Sequence, residues 1–259
     1  MRPLSDWQAQ GIVGVFTDID DTLTTDGVIT PDAVQALADL KAAGLLVVPI
    51  TGRPVGWSEP FAQTWPVDAI VAENGAVALV HADGQPLSKR YQQDTVTREA
   101  NFARMQKVLL RIEREVPGAH RAQDSAGRET DIAIDHSEFT HLPPTAIDSV
   151  VRLMQSEGMT ATVSSIHING WYGTHDKLAG ARWILRELWD RHLDAEIDRW
   201  VYVGDSTNDQ VMFQHFAHSV GVANIRRFEA QLRHPPRYIA PGERGAGFAQ
   251  VVRALLGKG

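Results

Sequence analysis

The sequence predicts an α/β protein, a doubly wound parallel sheet interrupted by an inserted α+β module. Three observations carry this. Short apolar runs rich in β-branched residues recur near 12–16, 45–50, 68–72 and 199–203, and each stops in a polar cluster. Helical patterns of ordinary length separate the first of them, which implies right-handed crossovers and parallel strands. From about residue 92 the alternation lapses, and strands and helices follow in an order unlike repeated βαβ units.

The first run, Val13-Gly14-Val15-Phe16, ends in Thr17-Asp18-Ile19-Asp20-Asp21-Thr22-Leu23. Like charges this close repel, and burying them is costly unless a cation is present. The carboxyl end of a strand is where open α/β sheets bind ligands. The cluster therefore reads as a site for a divalent cation, with one carboxylate free for chemistry. Capping aspartates in a turn are the plainer reading of the same residues.

Asp26-Gly27 then marks a turn. Thr30-Pro31 opens a helix whose apolar face carries Val34, Leu37, Ala38 and Leu40, and Gly44 ends it. The strand over 45–50 stops in Thr51-Gly52-Arg53-Pro54. A helical stretch over 54–65 leads to a strand over 68–72, which stops in Glu73-Asn74-Gly75. Runs over 77–80 and 86–91 flank Ala82-Asp83-Gly84 and read as a hairpin.

In the module, helices are expected over 97–116 and 144–157, with strands over 120–123, 131–135 and 160–168. Asn169-Gly170 and Gly173 read as return hinges. The α/β pattern resumes with a helix over 177–193 and a strand over 199–203 that ends in Gly204-Asp205-Ser206-Thr207-Asn208-Asp209. Short strands over 218–222 and 238–240 and a helix over 247–256 complete the chain.

Composition sets limits. The 259 residues are 43% hydrophobic and 22% charged, with a formal net charge of −7, which argues against nucleic acid as the main partner. There is no cysteine, hence no disulfide, thiolate metal site or cysteine nucleophile. The start of the chain is too polar for a signal peptide, and no apolar run approaches a membrane span. A soluble cytoplasmic protein with no membrane partner is expected. No pair among the ten histidines has convincing zinc spacing.

The first motif resembles the opening motif of the haloacid dehalogenase superfamily, and Val201-Tyr202-Val203-Gly204-Asp205-Ser206-Thr207-Asn208-Asp209 resembles its last. The resemblance implies a Rossmann-like core over 1–91 and 172–259 with an α+β cap over 92–171. It implies Asp18 as nucleophile and Asp20 as general acid and base. Asp18, Asp205 and the Asp20 carbonyl would hold Mg2+, with Asn208 and Asp209 orienting the metal site. Thr51 and Lys177 would hold the phosphoryl oxygens, and a lysine is notable in a chain with five lysines against twenty arginines. Two departures stand out: Leu178 and Asp21 occupy positions where the family usually has glycine.

The cap's place and size, with Glu73-Asn74-Gly75-Ala76, resemble the branch that includes sucrose-phosphate and mannosyl-3-phosphoglycerate phosphatases. A Mg2+-dependent phosphatase of a small sugar or glycosyl-glycerate phosphate is expected, working through an aspartyl-phosphate. A phosphosugar mutase and a non-catalytic sugar-phosphate-binding regulator are the alternatives. Candidate substrate contacts are Gly52, Arg53, Glu73, Asn74, His167 and Asn169, with Arg128 and Glu129 as further cap candidates. Trp57 and Trp171 could stack on a sugar ring, but with seven tryptophans packing is the better reading.

Overall fold

The computed structural model describes residues 1–81 and 84–257. The expected hairpin turn at Ala82-Asp83 lies outside them. The strands before the hairpin are β1 (Arg2–Pro3), β2 (Gly14–Thr17), β3 (Thr24–Thr25), β4 (Val28–Ile29), β5 (Leu46–Pro49) and β6 (Ile70–Ala72), with helices α1 (Pro31–Ala42) and α2 (Val55–Thr64) between them. The hairpin is β7 (Val77–Val80) and β8 (Ser88–Tyr91). Then come α3 (Thr95–Glu115), β9 (His120–Arg121), β10 (Ile132–Asp135), α4 (Pro144–Ser156), β11 (Thr160–Val163) and β12 (His167–Trp171). The chain continues through α5 (Lys177–Trp189), α6 (Leu193–Glu196), β13 (Trp200–Gly204), α7 (Gln210–His215), β14 (His218–Gly221), β15 (Tyr238–Ile239) and α8 (Arg244–Leu255).

The main sheet runs in the order β1-β15-β14-β13-β2-β5, and every neighbouring pair in it is parallel. A parallel bridge from Ile50 to Val71 sets the β6-β7-β8 sheet beside β5. Alternation along each strand separates two apolar layers. Val15, Val47, Val201 and Val203 pack on one face with Leu37, Leu40 and Phe248 of α1 and α8. Phe16, Val48, Trp200 and Tyr202 pack on the other with Ile184, Leu185 and Phe213 of α5 and α7. This is the doubly wound arrangement, and it brings the carboxyl ends of β2, β5 and β13 side by side.

A second, antiparallel sheet has the order β11-β12-β10-β9. One face buries Ile132, Ile134 and Ile168 under Met105, Leu109, Ile112 and Met154 of α3 and α4. The alternate positions carry Asp131, Asp135, His167 and Asn169, all buried.

Several elements differ from expectation. The run 160–168 is two strands, because the chain turns at Ser164-Ser165-Ile166 and closes through the Ser164 amide on the His167 carbonyl at 2.9 Å. Asn169 and Gly170 are no hinge; they lie inside β12, paired with Ala133 and Ile132 of β10. Gly170 serves packing instead, since a Cβ there would lie 2.6 Å from the Met154 sulfur. Gly173, with φ +130, does turn the chain out of the sheet. Helix α5 stops at Trp189 because Asp190 is left-handed. Helix α8 starts three residues earlier than its apolar pattern does.

Candidate active site

Three loops converge at the carboxyl end of the main sheet. β2 delivers Asp18, whose amide donates to the Val203 carbonyl of β13 at 2.8 Å. β13 delivers Asp205. Helix α5 delivers Lys177 in its first turn, capped by Asp176, whose carboxylate accepts from the Ala179 amide at 2.7 Å. Gly75 and Gly180 make that docking possible: a Cβ on Gly180 would lie 2.6 Å from the Gly75 Cα. Leu178, where the family usually has glycine, is an ordinary helical residue in the core.

Lys177 Nζ donates to Asp18 Oδ1 at 2.5 Å and to Asp209 Oδ1 at 2.6 Å, with all three side chains buried. Tyr202 donates its hydroxyl to Asp209 Oδ1 at 2.5 Å. The amides of Asp205 and Ser206 donate to Asp209 Oδ2 at 3.0 and 3.1 Å. Asp209 therefore has both oxygens engaged. It ties the loop after β13 together and holds the lysine.

Asp18, Asp205 and Asp209 offer carboxylate oxygens within 4.8 Å of one another. One lysine among three buried carboxylates leaves an excess of negative charge. Burial pushes the Asp18 and Asp205 carboxyls above their ordinary range, and for Asp18 this outweighs the adjacent Lys177. Burial would lower Lys177, but Asp18 and Asp209 hold it above the usual lysine range. Asp205 Oδ2 accepts from Asn224 Nδ2 at 3.0 Å, while Asp205 Oδ1 is buried and meets no donor among the described residues. A hard divalent cation fits an unpartnered carboxylate oxygen beside a second carboxylate. Asp18 and Asp205 suit that role better than Asp209.

Asp20 is engaged elsewhere. Arg53 Nε donates to its two oxygens at 2.8 and 3.0 Å. Arg53 in turn donates from Nη2 to Glu138 Oε1 at 2.8 Å. Thr51 is fully buried, and its hydroxyl accepts from the Arg53 amide at 3.0 Å. Asp21, the other departure from glycine, has φ 54, the left-handed region that glycine enters most freely and that aspartate tolerates. Arg244 stands 3.1 Å from its carboxylate, and Asn224 Nδ2 donates to its carbonyl at 3.0 Å. Asn208 is half-buried and accepts from the Ser206 hydroxyl at 2.9 Å.

A cleft of about 500 Å³ opens over this end of the sheet, bounded by Asp20, Arg53, Glu138, Asp205, Asn224 and Arg244 among others. Of the expected substrate contacts, Arg53 borders it. The others are engaged in bonds to protein, all buried except Gly52 and Glu129, which are half-buried; Glu129 accepts from Lys89 at 2.8 Å and Tyr91 at 2.6 Å. The Gly52 carbonyl accepts from Arg128 at 3.0 Å and Asn169 at 3.2 Å. Asn169 also donates to Asp131 at 2.9 Å, and Asn74 donates to Asp131 at 3.5 Å. His167 Nε2 lies 2.9 Å from Glu138. Trp171 is buried and stacks on His175. Trp57 lies under the Arg53 guanidinium, 4.9 Å from it.

Glu73 is a clasp. Its fully buried carboxylate accepts from the amides of Val55, Glu129 and Thr130 and from the Thr130 hydroxyl. It thereby fastens the segment leading into β10 to the end of β6 and the start of α2. Glu73→Ala strands these donors, and each buried unsatisfied group costs roughly 1–3 kcal/mol. We expect a loss of about 3 kcal/mol or more, read from the urea midpoint.

Sequence reading missed Glu138, Asn224, Tyr202 and Arg244. Asn224 follows β14 as Asp18 follows β2, so the rule of polar residues after buried strands could have found it. Tyr202 sits inside an apolar run, where a buried phenol needs a partner. Arg244, at the start of α8, carried no signal.

Residues 15–116 match the family model of haloacid dehalogenase-like hydrolases. No curated protein matches the sequence. Among solved structures, a Thermoplasma acidophilum protein is 18% identical with a TM-score of 0.71, covering 95% of this chain and 98% of that one. The sucrose-phosphatase of Synechocystis, solved with sucrose and phosphate, is 16% identical with a TM-score of 0.66, covering 96% and 98%. A haloacid dehalogenase-like hydrolase from B. subtilis is 14% identical with a TM-score of 0.65, covering 93% and 99%. At these identities the likeness is one of fold.

Proposed function

We propose that the chain is a haloacid dehalogenase-like hydrolase, as the family model matched by residues 15–116 supports, and that it is a Mg2+-dependent phosphatase of a small phosphorylated metabolite. The observation that carries this is the buried Asp18–Lys177–Asp209 chain beside the unpartnered Asp205 oxygen. It provides a carboxylate nucleophile, a fixed cation and a second cation's ligands in one place.

Asp18 attacks phosphorus and forms an aspartyl-phosphate. Asp20 delivers a proton to the departing alcohol, then takes one from the water that hydrolyses the intermediate. Lys177 offsets charge on the phosphoryl oxygens, and Asp209 keeps it in place. Thr51 points its hydroxyl proton at one of those oxygens. Asn208 supports the loop that carries Asp205. Mg2+ bound by Asp18, Asp205 and the Asp20 carbonyl would supply further charge stabilisation, which is most of what phosphoryl transfer requires of a protein.

Residues 92–171 act as a cap that shields the reaction from water. The substrate class is a sugar phosphate or glycosyl-glycerate phosphate. The cleft supports this, because Ser137, His136, Ser165 and Arg227 give it hydrogen-bonding groups suited to hydroxyls. The cleft also faces Asp20, where the leaving alcohol would sit.

Phosphate release from a panel of phosphorylated metabolites, with Mg2+ and with chelator, tests the reading. We expect release with Mg2+ alone, strongest for sugar monophosphates. Transfer to a second sugar hydroxyl without free phosphate would show a mutase, and binding without turnover a regulator.

A further inference from the structure

Arg53 is 4% exposed and has carboxylates on both sides. Its Nε–Nη2 edge grips Asp20, with Nη2 2.8 Å from Oδ1. Its other edge meets Glu138, with Nη2 at 2.8 Å and Nη1 at 3.3 Å, and Asp124 at 3.3 Å. Asp20 thus takes one edge of the planar fork and Glu138, with Asp124, the other, so Glu138 and Asp20 fix each other's place through it.

Glu138 has a rigid mount. It lies just beyond β10, in a loop whose amides at Ser137, Glu138, Phe139 and Thr140 all donate to the buried Asp135 carboxylate at 2.9–3.1 Å. His167 of β12 holds its second oxygen. The candidate acid on the main sheet is therefore oriented from the second sheet, through one arginine.

We propose that Glu138 is a positioning residue for Asp20, acting through Arg53. The inference rests on the phosphatase reading above. Without Glu138 that edge of the guanidinium keeps only the 3.3 Å contact to Asp124, the long side chain regains rotamers, and Asp20 loses its fixed orientation toward the leaving oxygen. Proton delivery to the alcohol and proton removal from the later water both suffer, while attack by Asp18 does not.

Leaving groups separate these effects. A hexose monophosphate needs its departing oxygen protonated, whereas 4-nitrophenyl phosphate releases a stable phenolate. For Glu138→Gln we expect the ratio of kcat/KM on the hexose phosphate to kcat/KM on the aryl phosphate, which reports the steps up to departure of the leaving group, to fall roughly tenfold or more, part of what a general acid contributes. On the aryl phosphate kcat/KM should change by less than about threefold, because the phenolate leaves without a proton. Arg53→Lys, which keeps the charge but loses the fork, should lower the same ratio. Equal loss of kcat/KM on both substrates, or no loss on either, overturns the positioning role and leaves the phosphatase reading standing. A wild-type protein that hydrolyses neither compound overturns both.

Discussion

Replacing Asp18 with asparagine abolishes turnover and leaves the fold intact. The side chain keeps its shape, and Lys177 can still donate to the remaining oxygen, so packing around β2 is preserved. What disappears is the proposed nucleophile. Losing a covalent catalytic group costs at least about 10³-fold in kcat, and here the residual rate should fall below detection. Stability should hold or rise slightly, because Asp18 is one of three buried carboxylates that share one lysine. Phosphate release gives the first readout and the urea midpoint the second. Activity near wild type would remove Asp18 from the reaction.

Replacing Lys177 with methionine has the second large effect, and it reaches stability as well. Lys177 is 2% exposed and bonded to two buried carboxylates. Breaking a buried pair by removing one partner leaves uncompensated charge, at roughly 3–5 kcal/mol. The penalty should shrink when Mg2+ is added, since a cation between Asp18 and Asp205 relieves the same repulsion. Activity should fall by at least about 10²-fold even with Mg2+, because a fixed charge on the phosphoryl oxygens is gone. An unchanged midpoint without Mg2+ would show that the cluster tolerates the missing cation, against the charge account of the site.

The site on the main sheet was legible because it breaks a local rule. Buried strands that stop in aspartate, threonine or asparagine have no packing reason to do so, and β2, β5 and β13 all carry that signature. The face of the second sheet was not legible. Alternation along β10 and β12 places Asp131, Asp135, His167 and Asn169 opposite the apolar face, and a sequence alone reads such positions as solvated or substrate-facing. Asp131 and Asn169 are covered by the loops after β5 and β6, through Gly52 and Asn74, which is long-range information, while Asp135 and His167 are covered by the 137–140 loop and Glu138. The turn at Ser164-Ser165 lacks glycine and proline, so two strands read as one. Asn169-Gly170 has turn chemistry, yet two methionines require the glycine inside a strand.

The measurement that bears most directly on the account is the mass of acid-quenched protein during turnover of an aryl phosphate with Mg2+, taken on Asp20→Asn. That substitution slows hydrolysis of the intermediate, while the aryl group leaves without a proton. The account predicts one added phosphoryl group on the peptide that holds Asp18, and none when Asp18→Asn is combined with it. Phosphate release by the wild type with no phosphorylated protein in the trap, or with the phosphoryl group on another residue, would contradict it.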